Sequence, residues 1–192
     1  CIRDRPSSIR ANCSFGKYHD IEVEDEVSAY FEFANGATGQ FTASTGEAPG
    51  TNRLEIVGDQ GTILTDGAEV TLIRNSESVA AYSRATDEMF GAPDTTEEVF
   101  KPGAAVNQHA AILDNFVKAA NGEAELIAPA ADGLNSLELA GAMIYSTWID
   151  DTVKLPLDAA AYEAALAERI AESKPRAVIQ TAAKVDMSKS YR

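Results

Sequence analysis

The densest run of chemically active side chains in this 192-residue chain is Lys17-Tyr18-His19-Asp20-Ile21-Glu22-Val23-Glu24-Asp25-Glu26. If the run is extended, Asp20, Glu22, Glu24 and Glu26 line one side, because strand side chains alternate with period two. Such a row can hold a divalent cation, although carboxylates on an exposed strand are more often simply solvated. Asp25 stands apart, in the apolar register of Val23, Val27 and Ala29. An unpaired carboxylate is costly there, so Asp25 must be hydrogen-bonded, at a strand end, or beside a pocket. A buried carboxylate that holds a loop is the leading reading.

His19 is the better functional candidate of two histidines, since Lys17, Tyr18 and Asp20 around it suit hydroxyl groups; the plain alternative is an exposed loop histidine. His109 falls in the first turn of a helix and belongs to helix-start chemistry. A second loop, Thr45 to Arg53, offers carboxylate, hydroxyl, amide and guanidinium groups on a glycine-containing path, a set that matches a sugar or polyol as well as a connecting turn. The substrate-binding candidates are Lys17, Tyr18, His19, Glu47, Thr51, Asn52 and Arg53. No residue is assigned a catalytic, cofactor-binding or metal-ligating role. No G-x-G-x-x-G turn opens a helix, the Asn35-to-Phe41 stretch having the wrong spacing, and no serine sits in a nucleophile elbow.

The elements that must position these groups change character along the chain. Alternation predicts strands over 7–15, 23–33 and 37–45. A three-residue loop, Ala34-Asn35-Gly36, pairs Phe33 with Ala37, Phe31 with Gly39 and Ala29 with Phe41, giving one apolar face, whereas a two-residue loop mixes the faces. The other face carries Ser28, Tyr30, Glu32, Thr38, Gln40, Thr42 and Ser44, polar but poor in charge, which suggests a contact between subunits. Strands follow at 52–57, 62–65 and 69–74, then a short helix near 79–84 and an extended piece at 95–100. Beyond Pro102-Gly103 the period becomes 3.6. Helices are expected at 107–121, with Ile112, Leu113, Phe116, Val117 and Ala120 on one stripe, and at 132–149, with Leu137, Ala140, Gly141, Ile144 and Trp148 inward. A link at 153–155 leads to a third helix capped by Asp158, with Tyr162, Leu166 and Ile170 aligned. The fold class is α+β: an open, largely antiparallel or mixed sheet with helices packed on one face.

Composition bounds the partners. Sixteen basic against thirty acidic residues give a net charge of −14, which repels a phosphate backbone and argues against nucleic acid. No stretch has the apolar length of a membrane span. Two cysteines, Cys1 and Cys13, make neither a zinc site nor a disulfide framework, which fits a reduced, cytoplasmic setting. Residues 1–5 (CIRDR) correspond to the translation of TGT ATA AGA GAC AG, the end of a transposase adapter, and are set aside as an artefact, the native chain then starting upstream of Pro6. The domain spans 6–173, and 174–192 is a weakly patterned tail.

Three blocks in order, IEVEDEVSAYFEFANGATGQF, NRLEIVGDQGTI and GLNSLELAGAMIYSTWIDDTVKLPLD, resemble the carboxy-terminal domain of Gfo/Idh/MocA oxidoreductases between Ser8 and Ser173. AILDNFVKAANGE, the Ser136-Leu137-Glu138 helix and Val153 to Pro156 recur in the expected places. The resemblance implies an open-faced sheet that packs against a Rossmann domain and forms subunit contacts on its exposed face. Enzymes of the family move a hydride between NAD(P) and a hydroxyl carbon of a sugar, inositol or related polyol. Their catalytic lysine and Asp/His pair lie upstream of this domain and have no counterpart here. His19-Asp20 is not that pair, because it follows the first strand of the domain. By position the Glu47-to-Arg53 loop resembles the family loop that reaches substrate, and the Lys17-to-Asp20 loop approaches the same cleft. NAD or NADP is then held by a missing N-terminal Rossmann domain, none is bound by this fragment, and the fragment alone is inactive. The other reading is a stand-alone, non-catalytic binding or assembly module that uses the same sheet.

Overall fold

The computed structural model describes residues 5–67, 69–101, 103 and 107–174; residues 1–4 of the suspected adapter, Pro102 and nearly all of the tail lie outside them. In chain order the elements are β1 (Pro6–Phe15), β2 (Glu24–Phe33), β3 (Thr38–Ser44), β4 (Leu54–Gly58), β5 (Gly61–Thr65), β6 (Val70–Asn75), α1 (Val79–Ala85), β7 (Thr95–Phe100), α2 (Gln108–Ala120), α3 (Ala130–Ile149), β8 (Val153–Lys154) and α4 (Ala159–Glu172). The fold is α+β, with the strands divided between two four-stranded sheets, ordered β3-β2-β1-β8 and β4-β5-β6-β7. The chain forms two compact units, Cys1–Ala43 with Asn135–Arg192, and Ser44–Leu134.

In the first unit, β1 and β2 run antiparallel with Ile9 opposite Phe31, Ala11 opposite Ala29 and Cys13 opposite Val27. These residues share one face because side chains alternate along each strand. Ile9, Ala11, Ala29, Ala142 and Val153 form the buried core, with Leu139, Met143 and Tyr145 of α3 packed against it. Alanine at three of those positions lets a helix backbone come close to the sheet. The predicted hairpin loop is present: the Phe33 amide donates to the Ala37 carbonyl and the Gly36 amide to the Phe33 carbonyl, both at 2.9 Å. Gly36 has φ 85°, the left-handed region that glycine enters without strain.

Strand β8 pairs with β1 only at Ser8 and Ile9, which leaves the next amides on that edge to other partners. Two hydroxyls of α3 supply them. The Ala11 amide donates to Ser146 Oγ at 3.0 Å, and the Cys13 amide to Thr147 Oγ1 at 2.9 Å.

Helix α3 covers part of the face its apolar spacing predicts, with Gly141 buried and Ile144 and Trp148 half-buried, but not the start of that stripe. Gly141, Ala142 and Ser146 are buried, while Leu137 is 70% exposed and Ala140 is exposed as well. The physical reason is that α3 is covered on two sides. Ala142 meets the sheet, whereas Gly141 faces Leu157 and Tyr162, and Trp148 stacks on Tyr162 with ring centroids 5.8 Å apart. Arg169 of α4 lies over the Trp148 ring at 5.7 Å. Asp158 caps α4 as expected, accepting from the Ala161 amide at 3.0 Å, and Tyr162 and Leu166 are half-buried. Ile170, expected on the same stripe, is 65% exposed.

In the second unit, β4 to β7 form an antiparallel meander. Gly61 is required at φ 142°, since a Cβ there would run into the Ile73 carbonyl. Asp59, in the β4–β5 turn, reaches the start of α1: its Oδ1 accepts from the Ala80 amide at 2.9 Å, beside the Ser78 cap. Helix α2 begins at Asn107, whose side chain accepts from the Ala110 amide, and ends before Gly122 at φ 77°. His109 lies in its first turn. The apolar stripe of α2 is present but uncovered, with Leu113 66%, Phe116 59% and Val117 57% exposed.

Candidate functional site

The Lys17–Glu26 run is not extended throughout. Residues 16–23 form a bent loop and β2 begins at Glu24, so Asp20, Glu22, Glu24 and Glu26 do not line one side of a strand. The bend starts at Gly16, with φ 60°, where a Cβ would strike the Ile21 carbonyl oxygen. Its amide donates to the Val23 carbonyl at 3.3 Å and closes the loop.

Asp25 organises this loop from beneath. The β1–β2 pairing passes from Ser14 opposite Glu26 to Phe15 opposite Glu24, so Asp25 is the extra residue of a β-bulge. It is 3% exposed, and its carboxylate accepts from the amides of Lys17 at 3.0 Å, Tyr18 at 2.7 Å and His19 at 3.1 Å. The His19 ring approaches it too, with Nδ1 3.5 Å from Oδ2. Burial opposes the charge on Asp25, but the Tyr18, Lys17 and His19 amides and the His19 ring together outweigh it and hold the carboxyl below the usual aspartate range.

Glu26 gathers the side chains that Asp25 leaves pointing outward. Its Oε2 accepts from Lys17 Nζ at 2.6 Å and Ser14 Oγ at 2.9 Å, and its Oε1 from the Tyr18 hydroxyl at 3.1 Å. The Lys17 contact, then the Ser14 hydroxyl, lower the Glu26 carboxyl, and the same contact raises the Lys17 ammonium above its ordinary value. The result is a surface set of hydroxyl, ammonium, carboxylate and imidazole, able to donate to and accept from a polyhydroxylated molecule. From the far side the loop is tied by Glu22, which accepts from Ser173 Oγ at 2.5 Å and the Lys174 amide at 3.3 Å.

Lys17, Tyr18 and His19 are thus brought together as one cluster, with Glu26 as a member that the sequence reading passed over. Glu47, Thr51, Asn52 and Arg53 lie in the second unit, on the exposed stretch between β3 and β4. Arg53 pairs there with Glu55 at 2.8 Å.

The polar sheet face holds a shallow cleft of about 460 Å³ that includes none of the predicted site residues. Its floor is made by Arg10 opposite Tyr30 and Asn12 opposite Ser28, with Gln40 and Thr42 beyond them on β3. Arg10 is held at its rim by an ion pair with Asp150 at the end of α3. Arg10 and Asn12 were legible as same-face neighbours on β1; Asp150, 140 residues away, was not.

Residues 1–64 match the sequence family described as the GFO/IDH/MocA C-terminal domain. No curated protein matches the chain. Solved structures do. An NAD-binding protein from Listeria innocua aligns over 79% of this chain and 42% of its own, at 20% identity and TM-score 0.56. The WlbA dehydrogenase from Bordetella pertussis, in complex with NADH and UDP-GlcNAcA, aligns over 80% and 40%, at 22% identity and TM-score 0.55. A levoglucosan dehydrogenase in complex with NADH and L-sorbose aligns over 80% and 45%, at 19% identity and TM-score 0.59. The chain thus spans less than half the length of these proteins. In fold, and over the first third of its sequence, the chain is similar to the carboxy-terminal part of Gfo/Idh/MocA oxidoreductases. It is a platform of two antiparallel sheets and four helices.

Proposed function

We propose that this chain is the substrate-binding and oligomerisation part of an NAD(P)-dependent oxidoreductase acting on a sugar, inositol or related polyol. The observation that carries the reading is the fold match to 40–45% of dehydrogenases that were crystallised with NADH and a sugar or sugar nucleotide. Each unit carries a loop whose groups suit substrate hydroxyls: Lys17, Tyr18 and His19 in the first, and Glu47, Thr51, Asn52 and Arg53 in the second. Hydride transfer needs a nicotinamide held against the reacting carbon. The described residues do not fit that group: their sheets are antiparallel, and no glycine-rich strand-to-helix turn is available for a pyrophosphate. On this reading the cofactor belongs to a Rossmann domain outside this chain, and these residues contribute contacts to the substrate. The uncovered stripe of α2 supports a further partner surface, since exposed apolar patches of this kind mark contacts. The polar face of the first sheet is the surface for a second copy. Among the described residues no helix is long and apolar enough to cross a membrane.

The test is activity of the complete protein that contains this chain, assayed with NAD and NADP against a panel of sugars, inositols and glycerol. Nicotinamide reduction with at least one polyol is expected. A silent panel with both cofactors contradicts the reading and favours a binding or assembly module.

A further inference from the structure

The bulge at Asp25 has a direction. An extra residue in a strand re-aims its side chain, and bulges recur beside functional loops. Here the re-aimed group is a carboxylate that is fully covered, while the loop it holds lies at the surface, with the His19 side chain 48% exposed. Three successive amides converge on it, the arrangement by which backbone N–H groups hold an anion. Lys17 and Tyr18 then meet a second carboxylate, that of Glu26, on the outer side. One carboxylate therefore sets the backbone of the loop, and its neighbour sets the side chains.

We propose that Asp25 is a positioning residue for substrate recognition: it fixes the backbone of Lys17 to His19 and the orientation of the His19 ring, so that the loop meets a polyol already shaped. This rests on reading the loop as substrate-contacting. The physical gain is preorganisation, because a loop ordered before binding does not lose that freedom when the ligand arrives. A carboxylate facing Nδ1 favours the tautomer with the proton on Nδ1, the usual way a partner selects between the two ring nitrogens. Asp25 touches no substrate in this scheme. It acts through the residues it holds.

The test uses the 192-residue chain, labelled with nitrogen-15, with myo-inositol as the probe. In the wild type the His19 ring is expected as the Nδ1–H tautomer, and the Lys17, Tyr18 and His19 amides exchange slowly. Asp25→Asn is expected to lose at least roughly ten-fold of that protection, while the Asn12 and Ser28 amides of the β1–β2 ladder keep theirs, and to weaken the myo-inositol response of the loop several-fold. A wild-type His19 in the other tautomer with fast-exchanging loop amides overturns the proposal without any variant. So does an Asp25→Asn chain with unchanged protection and an unchanged myo-inositol titration. Asp25-dependent protection with no response to myo-inositol in the wild type overturns the substrate reading of the loop, and with it the role in recognition.

Discussion

The Ser146 hydroxyl on α3 occupies the place that a strand would take beside Ala11: it accepts from the Ala11 amide at 3.0 Å and donates to the Asp151 carbonyl at 2.6 Å. Ser146 and Ala11 are both buried, so the Ala11 amide has no water as a substitute. Ser146→Ala is expected to lower stability by about 1–3 kcal/mol, the penalty for leaving a buried donor unmade. Urea unfolding measures it. A change within error shows that the helix does not complete the edge of β1.

Gly141 tests the contact between α3 and α4. A Cβ there would sit 3.4 Å from Leu157 Cδ2 and 3.6 Å from the Tyr162 ring, which is ordinary contact. Gly141→Ala is therefore expected to be neutral or to stabilise by up to about 1 kcal/mol through helix propensity. Gly141→Leu is expected to push the Tyr162 ring off Trp148 and change the fluorescence of the single tryptophan. Equal behaviour of the two variants contradicts the packing described.

The Lys17–Glu26 loop has a defined pH window. Asp25 and Glu26 are held below their ordinary values of 3.8 and 4.5, so their stabilisation is fully present above those values. It is lost as pH falls through the lowered folded-state values. Lys17 is raised above 10.5, so its contribution is complete below that pH and is lost as pH climbs through the raised value. The protection of the Lys17 to His19 amides against exchange is expected to persist between pH 5 and 9 and to be lost only in stronger acid. Loosening of these amides near pH 6 contradicts the assignment.

Much of the architecture was legible because it is local. The 95–100 strand coincides with β7, and the Ala34-Asn35-Gly36 loop was chosen by asking which register keeps Ala29 and Phe31 on one face. The period of two and a glycine with positive φ decide both. The burial of Asp25 was legible too, from its place in the apolar register. Its bulge was not, because a bulge exists only relative to the partner strand, here at Ser14 and Phe15. The inward face of α3 was only partly legible for a similar reason, with Gly141 placed rightly and Leu137 not. An apolar stripe locates one covered side, and α3 has two, so Leu137 was taken as core and Ser146 passed over. Glu26 was left out of the binding candidates because it looked like one carboxylate of a solvated row. Only the turn at Gly16 brings Lys17 and Tyr18 back over it.

The polar sheet face predicts self-association. Tyr30, Ser28, Gln40 and Thr42 offer neutral hydrogen-bonding groups around the Arg10–Asp150 pair. Ser28→Glu with Thr42→Glu places like charges opposite each other across a two-fold contact, and is expected to weaken association by at least roughly ten-fold. Sedimentation velocity checks this. A wild-type chain that stays monomeric at high concentration contradicts it.

The loops of this chain are proposed to select the substrate of a redox centre housed elsewhere. Steady-state kinetics of the complete protein on its best polyol decide this, wild type against His19→Ala and Arg53→Ala. The expected result is a fall in kcat/KM of at least roughly ten-fold for each variant, carried mainly by KM, as for residues that bind substrate and transition state alike. Wild-type kinetics in both variants would show that neither loop touches the substrate.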